Sequence, residues 1–279
     1  MTWTAYFSIS EYWSLSWALA LFIIFGGCLF WLKPKPARSF AVFTAFLLLY
    51  LMLASPVAAL TQFGLHSVAM LQHVVVLMLV PLLLWAGIPS KKGKSKTNLK
   101  PKKILVLLSW LAGTASMWAA HFLSAAKISA RSGLSICGIS AEANSWVLKI
   151  PDPAILLLLL LAGIVFLLPV YGRSRKLRLS PLGAVAYLFT ACVSCSILGL
   201  WVAFSASSAG TAHAASFLTT LRNPFPMSLR ADQELAGMIM WVPGCVLYVA
   251  TSVHIALGWL EDEKQVAVVS EALPKSRKR

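Results

Sequence analysis

Apolar residues fall along this chain in blocks of about 20, separated by polar connections. Seven blocks are distinguishable, at residues 13–32, 38–57, 66–88, 104–124, 153–171, 181–204 and 234–258. A helix rises ~1.5 Å per residue, so about 20 apolar residues cross the ~30 Å hydrocarbon core of a bilayer. Lipid offers no hydrogen bonds to the backbone, so a block of this kind spans as a helix that satisfies its own N–H and C=O groups. The pattern therefore predicts an all-α, polytopic membrane protein with seven transmembrane helices. Proline inside the blocks at Pro81 and Pro243 removes a main-chain hydrogen bond and predicts a kink at each. No internal repeat is visible and no connection is long enough to separate two domains. The predicted organisation is one seven-helix membrane domain over residues 1–263 and a basic tail over 264–279.

Composition agrees and adds an exclusion. Hydrophobic residues make up 59% of the chain and charged residues only 12%. A soluble domain carries about 25% charged residues to face water, so lipid must solvate most of this surface. The net charge of +15 would suit nucleic acid, but its carriers are dispersed over short connections between apolar spans. Topology and contact with anionic lipid account for them, and no nucleic-acid partner is expected. Nineteen of the 24 Lys and Arg residues fall on one side, in the connections around Lys33, Lys91–Lys103 and Arg173–Arg178 and in the tail. Lys127, Arg131, Lys149, Arg222 and Arg230 fall on the other. The positive-inside rule puts the first set in the cytoplasm, the N-terminus outside and the C-terminus inside. The first block has no basic residue before it and ends in Trp31-Leu32-Lys33, which reads as a retained helix and not as a cleaved signal peptide. Cys28, Cys192, Cys195 and Cys245 lie within spans and Cys137 in an outer loop. That distribution is no disulfide framework, and Cys137 reads as a small buried residue or a free thiol.

Polar side chains at membrane depth cost free energy, which makes them functional candidates. The third block opens His66-Ser-Val-Ala-Met70-Leu-Gln-His73. Spacings of four and three put His66, Met70 and His73 on one helical face. The fourth block runs the other way and ends Met117-Trp-Ala-Ala-His121. With His213 in the last outer loop, four of the five histidines gather on the outer side, and only His254 does not. Imidazole and thioether are copper ligands, and thioether favours Cu(I). They also ligate haem iron. The alternative is structural: Met fills gaps in apolar cores, and a histidine near a helix end can bond a neighbouring helix. Cys192 and Cys195 share a face of the sixth block, where metal or redox chemistry competes with tight packing among small residues. Asp232 and Glu234 begin the last helix. They complement its dipole, or Asp232 or Glu234 contacts the His/Met patch or a partner. Two outer connections, 125–152 and 205–231, are long enough to carry function, with Trp146, Phe217, Phe225 and Pro226 as interface candidates. Charged residues are nearly absent from the spans, which argues against an ion-coupled pump. No nucleotide loop and no Ser/His/Asp arrangement is present, so no catalytic site is expected.

Several segments are similar to one known family. Ser55-Pro-Val-Ala, Met70-Leu-Gln-His73, Pro81-Leu-Leu-Leu and Gly87-Ile-Pro89 resemble the opening half of the CtaG family of caa-type cytochrome c oxidase assembly proteins. Trp118-Ala-Ala-His121 resembles its fourth-span motif. Arg178-Leu-Ser-Pro-Leu-Gly183 and the segment from Asp232 to Gly244 resemble its closing half. The resemblance implies seven spans, a bacterial plasma (inner) membrane, and a non-enzymatic role in making an active haem-copper oxidase, with copper delivery the expected chemistry. It carries metal-ligand roles onto His73 and His121, with Met70 beside them. Two departures stand out. The family's His-Met-x-Gln-His reads Ala69-Met70-Leu-Gln72-His73 here, and the segment Lys149-Ile-Pro-Asp-Pro-Ala154 lacks the histidines that often lead into the fifth span. His66, one turn before Ala69, is the substitute this chain offers. The expected metal residues are thus His73, His121, His66 and Met70, with copper ahead of haem. Expected partners are cytochrome c oxidase subunits, or another respiratory complex, and the lipid bilayer. Alternative readings are a stable accessory subunit of such a complex and a permease for copper or a small molecule.

Overall fold

The computed structural model describes residues 13, 15–32, 36–88, 103–132, 135–139, 145–172, 178–205 and 227–272. Its long elements are helices: α1 (Leu15–Leu32), α2 (Pro36–Ala54), α3 (His66–Gly87), α4 (Lys103–Ser132), α5 (Asp152–Tyr171), α6 (Pro181–Phe204) and α7 (Leu229–Ala272). Among the described residues no strand forms, only an isolated bridge between Ile136 and Ile139. Six of these helices, α2 to α7, are long and apolar enough to cross a membrane. At the place of the first predicted span stands α1, an 18-residue helix whose apolar stretch is Leu19–Cys28 and which packs along α2. The outside of the bundle is apolar: Phe40 is 70% exposed, Leu182 73% and Phe204 83%. Water would penalise such a surface, and acyl chains would not.

Local chemistry sets where the helices begin and end. Ser180 caps α6 by accepting the Gly183 N–H at 3.2 Å, with Pro181 as the first helical residue. Ser55 ends α2, bonds back to the Leu51 carbonyl at 2.6 Å and accepts the Val57 N–H at 3.1 Å. A short turn at Pro56–Ala59 and a 3-10 turn at Leu60–Phe63 follow, closed by Gly64 at φ 70°. This reversal delivers the chain to the start of α3.

Pro81 disturbs α3 as expected, and the structure shows how. Pro81 has no N–H for the Leu77 carbonyl, and the turn before it, Val75–Leu79, widens to a π-helix in which the Val80 N–H bonds to Val75. The Leu77 carbonyl lies against Gly163 of α5, where any Cβ would collide with it. Pro243 lies inside α7, and the helix continues through it to Ala272. Pro169, in the last turn of α5, accepts a bond from the Leu179 N–H at 2.8 Å through its carbonyl.

Two helices are longer than the apolar blocks suggest. The fourth block ends at 124, yet α4 continues to Ser132. The extra two turns carry Lys127, whose ammonium reaches the Ile150 carbonyl and, at 2.5 Å, Asp152 at the start of α5. Paired charges let the helix persist where hydropathy falls. Helix α7 likewise starts at Leu229 and runs 44 residues to Ala272, so no helix break marks the predicted boundary at 263/264.

The most buried of the six spanning helices is α3. Its first half packs on α7 and its second half on α2 and α5. The closest seam joins α6 to α7, where Gly199 and Gly237 let the backbones meet: a Cβ on Gly237 would lie 2.6 Å from the Gly199 carbonyl. The starts of α3, α5 and α7 and the ends of α4 and α6 gather at one end of the bundle, called here the histidine end.

Candidate metal centre

The site begins with an uncapped helix. Leu65 precedes α3 in extended backbone and offers no side-chain cap, so the first N–H groups of a buried helix need an acceptor. Asp232 supplies it from 165 residues away in the chain. Its carboxylate accepts the His66 N–H at 2.8 Å, the Ser67 N–H at 3.0 Å and the Ser67 hydroxyl at 2.6 Å. It is fully buried. A negative charge against a helix N-terminus is also favoured by the dipole. Asp232 stands in the first turn of α7, as the dipole reading has it, and also contacts the histidine-bearing helix. Glu234 instead pairs with Arg230 at 2.8 Å, half-exposed. The near-absence of charge inside the bundle is corrected accordingly: Asp232 and Lys127 are both buried at the histidine end.

With α3 anchored in this way, its first residue is held against α4. The His66 and His121 rings meet edge to face, centroids 5.3 Å apart and planes at 66°. Both side chains are almost wholly buried. Among the described residues, neither ring nitrogen of His121 has a hydrogen-bond partner. The third member is Cys137, 3% exposed, from the connection between α4 and α5. Ligand atoms of His66, His121 and Cys137 all lie within 4.8 Å of one another.

Four residues were expected to ligate metal. The structure brings two of them, His66 and His121, to a common point. Met70 is fully buried on α3 one turn past His66. His73 lies outside the converging set: its Nε2 meets the Ser124 hydroxyl at 3.3 Å, beside a cavity of about 30 Å³ lined by Gln72, Ser124, Lys127 and Asp152. That is room for a water molecule, not for a porphyrin. His254 is exposed on α7, far from these residues in the helix. His213, Phe217, Phe225, Pro226 and the side chain of Trp146 lie outside the described residues.

Cys137 is the residue that sequence reasoning passed over as a ligand. Its signal was the run Ile136-Cys137-Gly138-Ile139, a two-residue X-Gly turn flanked by apolar residues. Burial pushes its thiol above the ordinary value of 9.0, while a hydrogen bond with Ser205 works the other way. The cysteines of α6 contact α7. Cys192 lies 3.1 Å from Cys245 across the α6–α7 seam, and the Cys195 thiol bonds to the Met240 carbonyl at 3.1 Å. Gly244 keeps room for the Cys195 sulfur, so Cys192 and Cys195 both face α7.

Two imidazoles and a thiol, buried together, are borderline and soft donors of the kind that hold copper or zinc. The family model described as the cytochrome c oxidase caa3 assembly factor matches residues 32–262 of the chain. Comparison with curated proteins and with solved structures finds no match.

Proposed function

This chain belongs to the cytochrome c oxidase caa3 assembly factor family, and from that premise we propose that it is a non-enzymatic membrane factor whose cargo is copper, held at the histidine end of the bundle. In this reading α1 completes seven spans, the basic connections face the cytoplasm of a bacterial plasma membrane, and the histidine end faces outward. Nineteen of 24 basic residues on one side support that orientation. An outward site can load a copper centre exposed on the same side.

One observation carries the copper reading: His66 and His121 are buried in ring contact, and among the described residues both His121 nitrogens are unpartnered. A buried polar atom without a partner is costly and is seldom retained without a use. A lone pair that finds no hydrogen bond is available to a cation.

A deletion strain tests the proposal. Loss of the gene should lower oxidase activity and the copper content of the oxidase together. The wild-type gene should restore both, and His66→Ala with His121→Ala should restore neither. Full activity and full copper content in the deletion strain would refute the assembly role. Stoichiometric co-purification with the oxidase through detergent would favour a permanent subunit, and altered total cell copper would favour a permease.

A further inference from the structure

Between α4 and α5 the chain makes a two-residue hairpin. Ile136 and Ile139 exchange both main-chain hydrogen bonds, at 3.1 and 2.9 Å. The central residues are left-handed, Cys137 at φ 52° and Gly138 at φ 78°. Such a turn favours Gly, Asn or Asp at its first central position, because a Cβ crowds the backbone there. Cys137 is the one non-glycine residue with positive φ among those described. Gly138 at the tip is exposed, as turn tips normally are, whereas Cys137 beside it is turned inward and 3% exposed. The Ser129 hydroxyl holds the Ile139 carbonyl at 3.1 Å and ties the hairpin to α4. A strained backbone, a buried thiol and two buried imidazoles therefore meet at one point. Strain of this kind concentrates where a side chain is needed in a particular place.

We propose that Cys137 is the third ligand of a three-coordinate Cu(I) site completed by His66 and His121. The assignment rests on the copper reading above and names its ligands. A thiolate is soft and selects Cu(I) among the common biological cations. Charge agrees: two neutral imidazoles, one thiolate and Cu(I) sum to zero, whereas a divalent ion would add a net charge inside the bundle. The charge of Asp232 is already engaged by three donors of α3. Ligand bonds of about 2.0–2.3 Å in a trigonal plane put the donors roughly 3.5–4 Å apart. From a spread of at most 4.8 Å, rotation of the Cys137 and imidazole torsions closes the difference. On binding, the Cys137 S–H bond breaks, an S–Cu bond forms and the proton leaves to solvent. Copper enters and stays as Cu(I), so no electron is transferred.

The test uses the purified full chain in nanodiscs, without oxygen, titrated with Cu(I) against a chromogenic Cu(I) chelator. Wild type should bind one Cu(I) per chain, with nitrogen and sulfur scatterers in its X-ray absorption spectrum. Cys137→Gly and Cys137→Ser should each weaken binding by about 100-fold or more and lose a sulfur scatterer. Cys137→Gly relieves the left-handed turn, so its melting midpoint should equal or exceed that of wild type and copper loss cannot reflect unfolding. If both variants bind Cu(I) as wild type does, with the same sulfur signal, Cys137 is not a ligand. Loss of binding in His66→Ala or His121→Ala alone would then leave the copper reading standing on the histidines. If wild type binds no Cu(I), the copper reading and this site fail together.

Discussion

Asp232 connects protein stability to site geometry at the scale of single residues. It is a buried carboxylate that accepts three bonds from the first residues of α3. Asp232→Ala removes the acceptor of two N–H groups and a hydroxyl and should cost about 3 kcal/mol, measured by thermal unfolding in detergent. Asp232→Asn keeps one acceptor oxygen and should cost about 1 kcal/mol. Both should also weaken Cu(I) binding, because His66 is no longer fixed. The Cys137 thiol gives a pH signature. Burial raises its value above 9.0 in the folded chain, so at neutral pH it is protonated and Cu(I) must displace the proton. Affinity should then rise about tenfold per pH unit up to the thiol's own range, and Cys137→Ser should abolish that slope in chelator competition. The metal-free protein follows the sign of the same shift. Stability held below pH 9 is lost as pH rises further, because the unfolded chain ionises first.

At the scale of elements, the contact between α3 and α5 is the most demanding. Helix α3 takes a π turn because of Pro81, and its Leu77 carbonyl is received by a backbone with no side chain, Gly163. Gly163→Ala forces the helices apart and should cost about 1–3 kcal/mol by thermal unfolding. Gly26→Ala is the matched control. Gly26 lies in α1, where an added methyl group would meet nothing within 4 Å, and there alanine should stabilise by up to about 1 kcal/mol through helix propensity. The extension of α4 follows the same logic in polar form. Lys127 and Arg131 lie 2.5 and 3.8 Å from Asp152, so the helix end gains partners where it loses hydropathy.

The whole molecule joins two separate properties, an apolar exterior and, at one end, an interior that holds the buried histidines and the buried Lys127 and Asp232. The exterior follows from composition: with 12% charged residues, most outward positions must be apolar. The polar end follows from topology, since alternate helices begin and finish there. The proposed orientation is testable without reference to copper. Lys96→Cys should be labelled by a membrane-impermeant maleimide only from the cytoplasmic side, and Ser208→Cys only from outside. The opposite pattern would invert the topology and put the histidine end in the cytoplasm.

Read alone, the chain determined its class, the approximate position of each long helix and the family. Blocks of about 20 apolar residues leave the backbone one way to satisfy itself in lipid, so these conclusions need no knowledge of packing. Periodicity also placed His66 and Met70 on one face of α3. What it could not decide was which polar groups meet across helices. His66 reaches His121 and Cys137, while His73, seven residues along the same face, turns to Ser124 and a polar cavity. Asp232, in the first turn of α7, also caps a helix 165 residues away. Cys137 enters the site only because a left-handed turn points it inward. Helical spacing is a local property of 3.6 residues per turn. The convergence of α3, α4, α7 and a hairpin depends on which surfaces pack, and only the tertiary structure decides that.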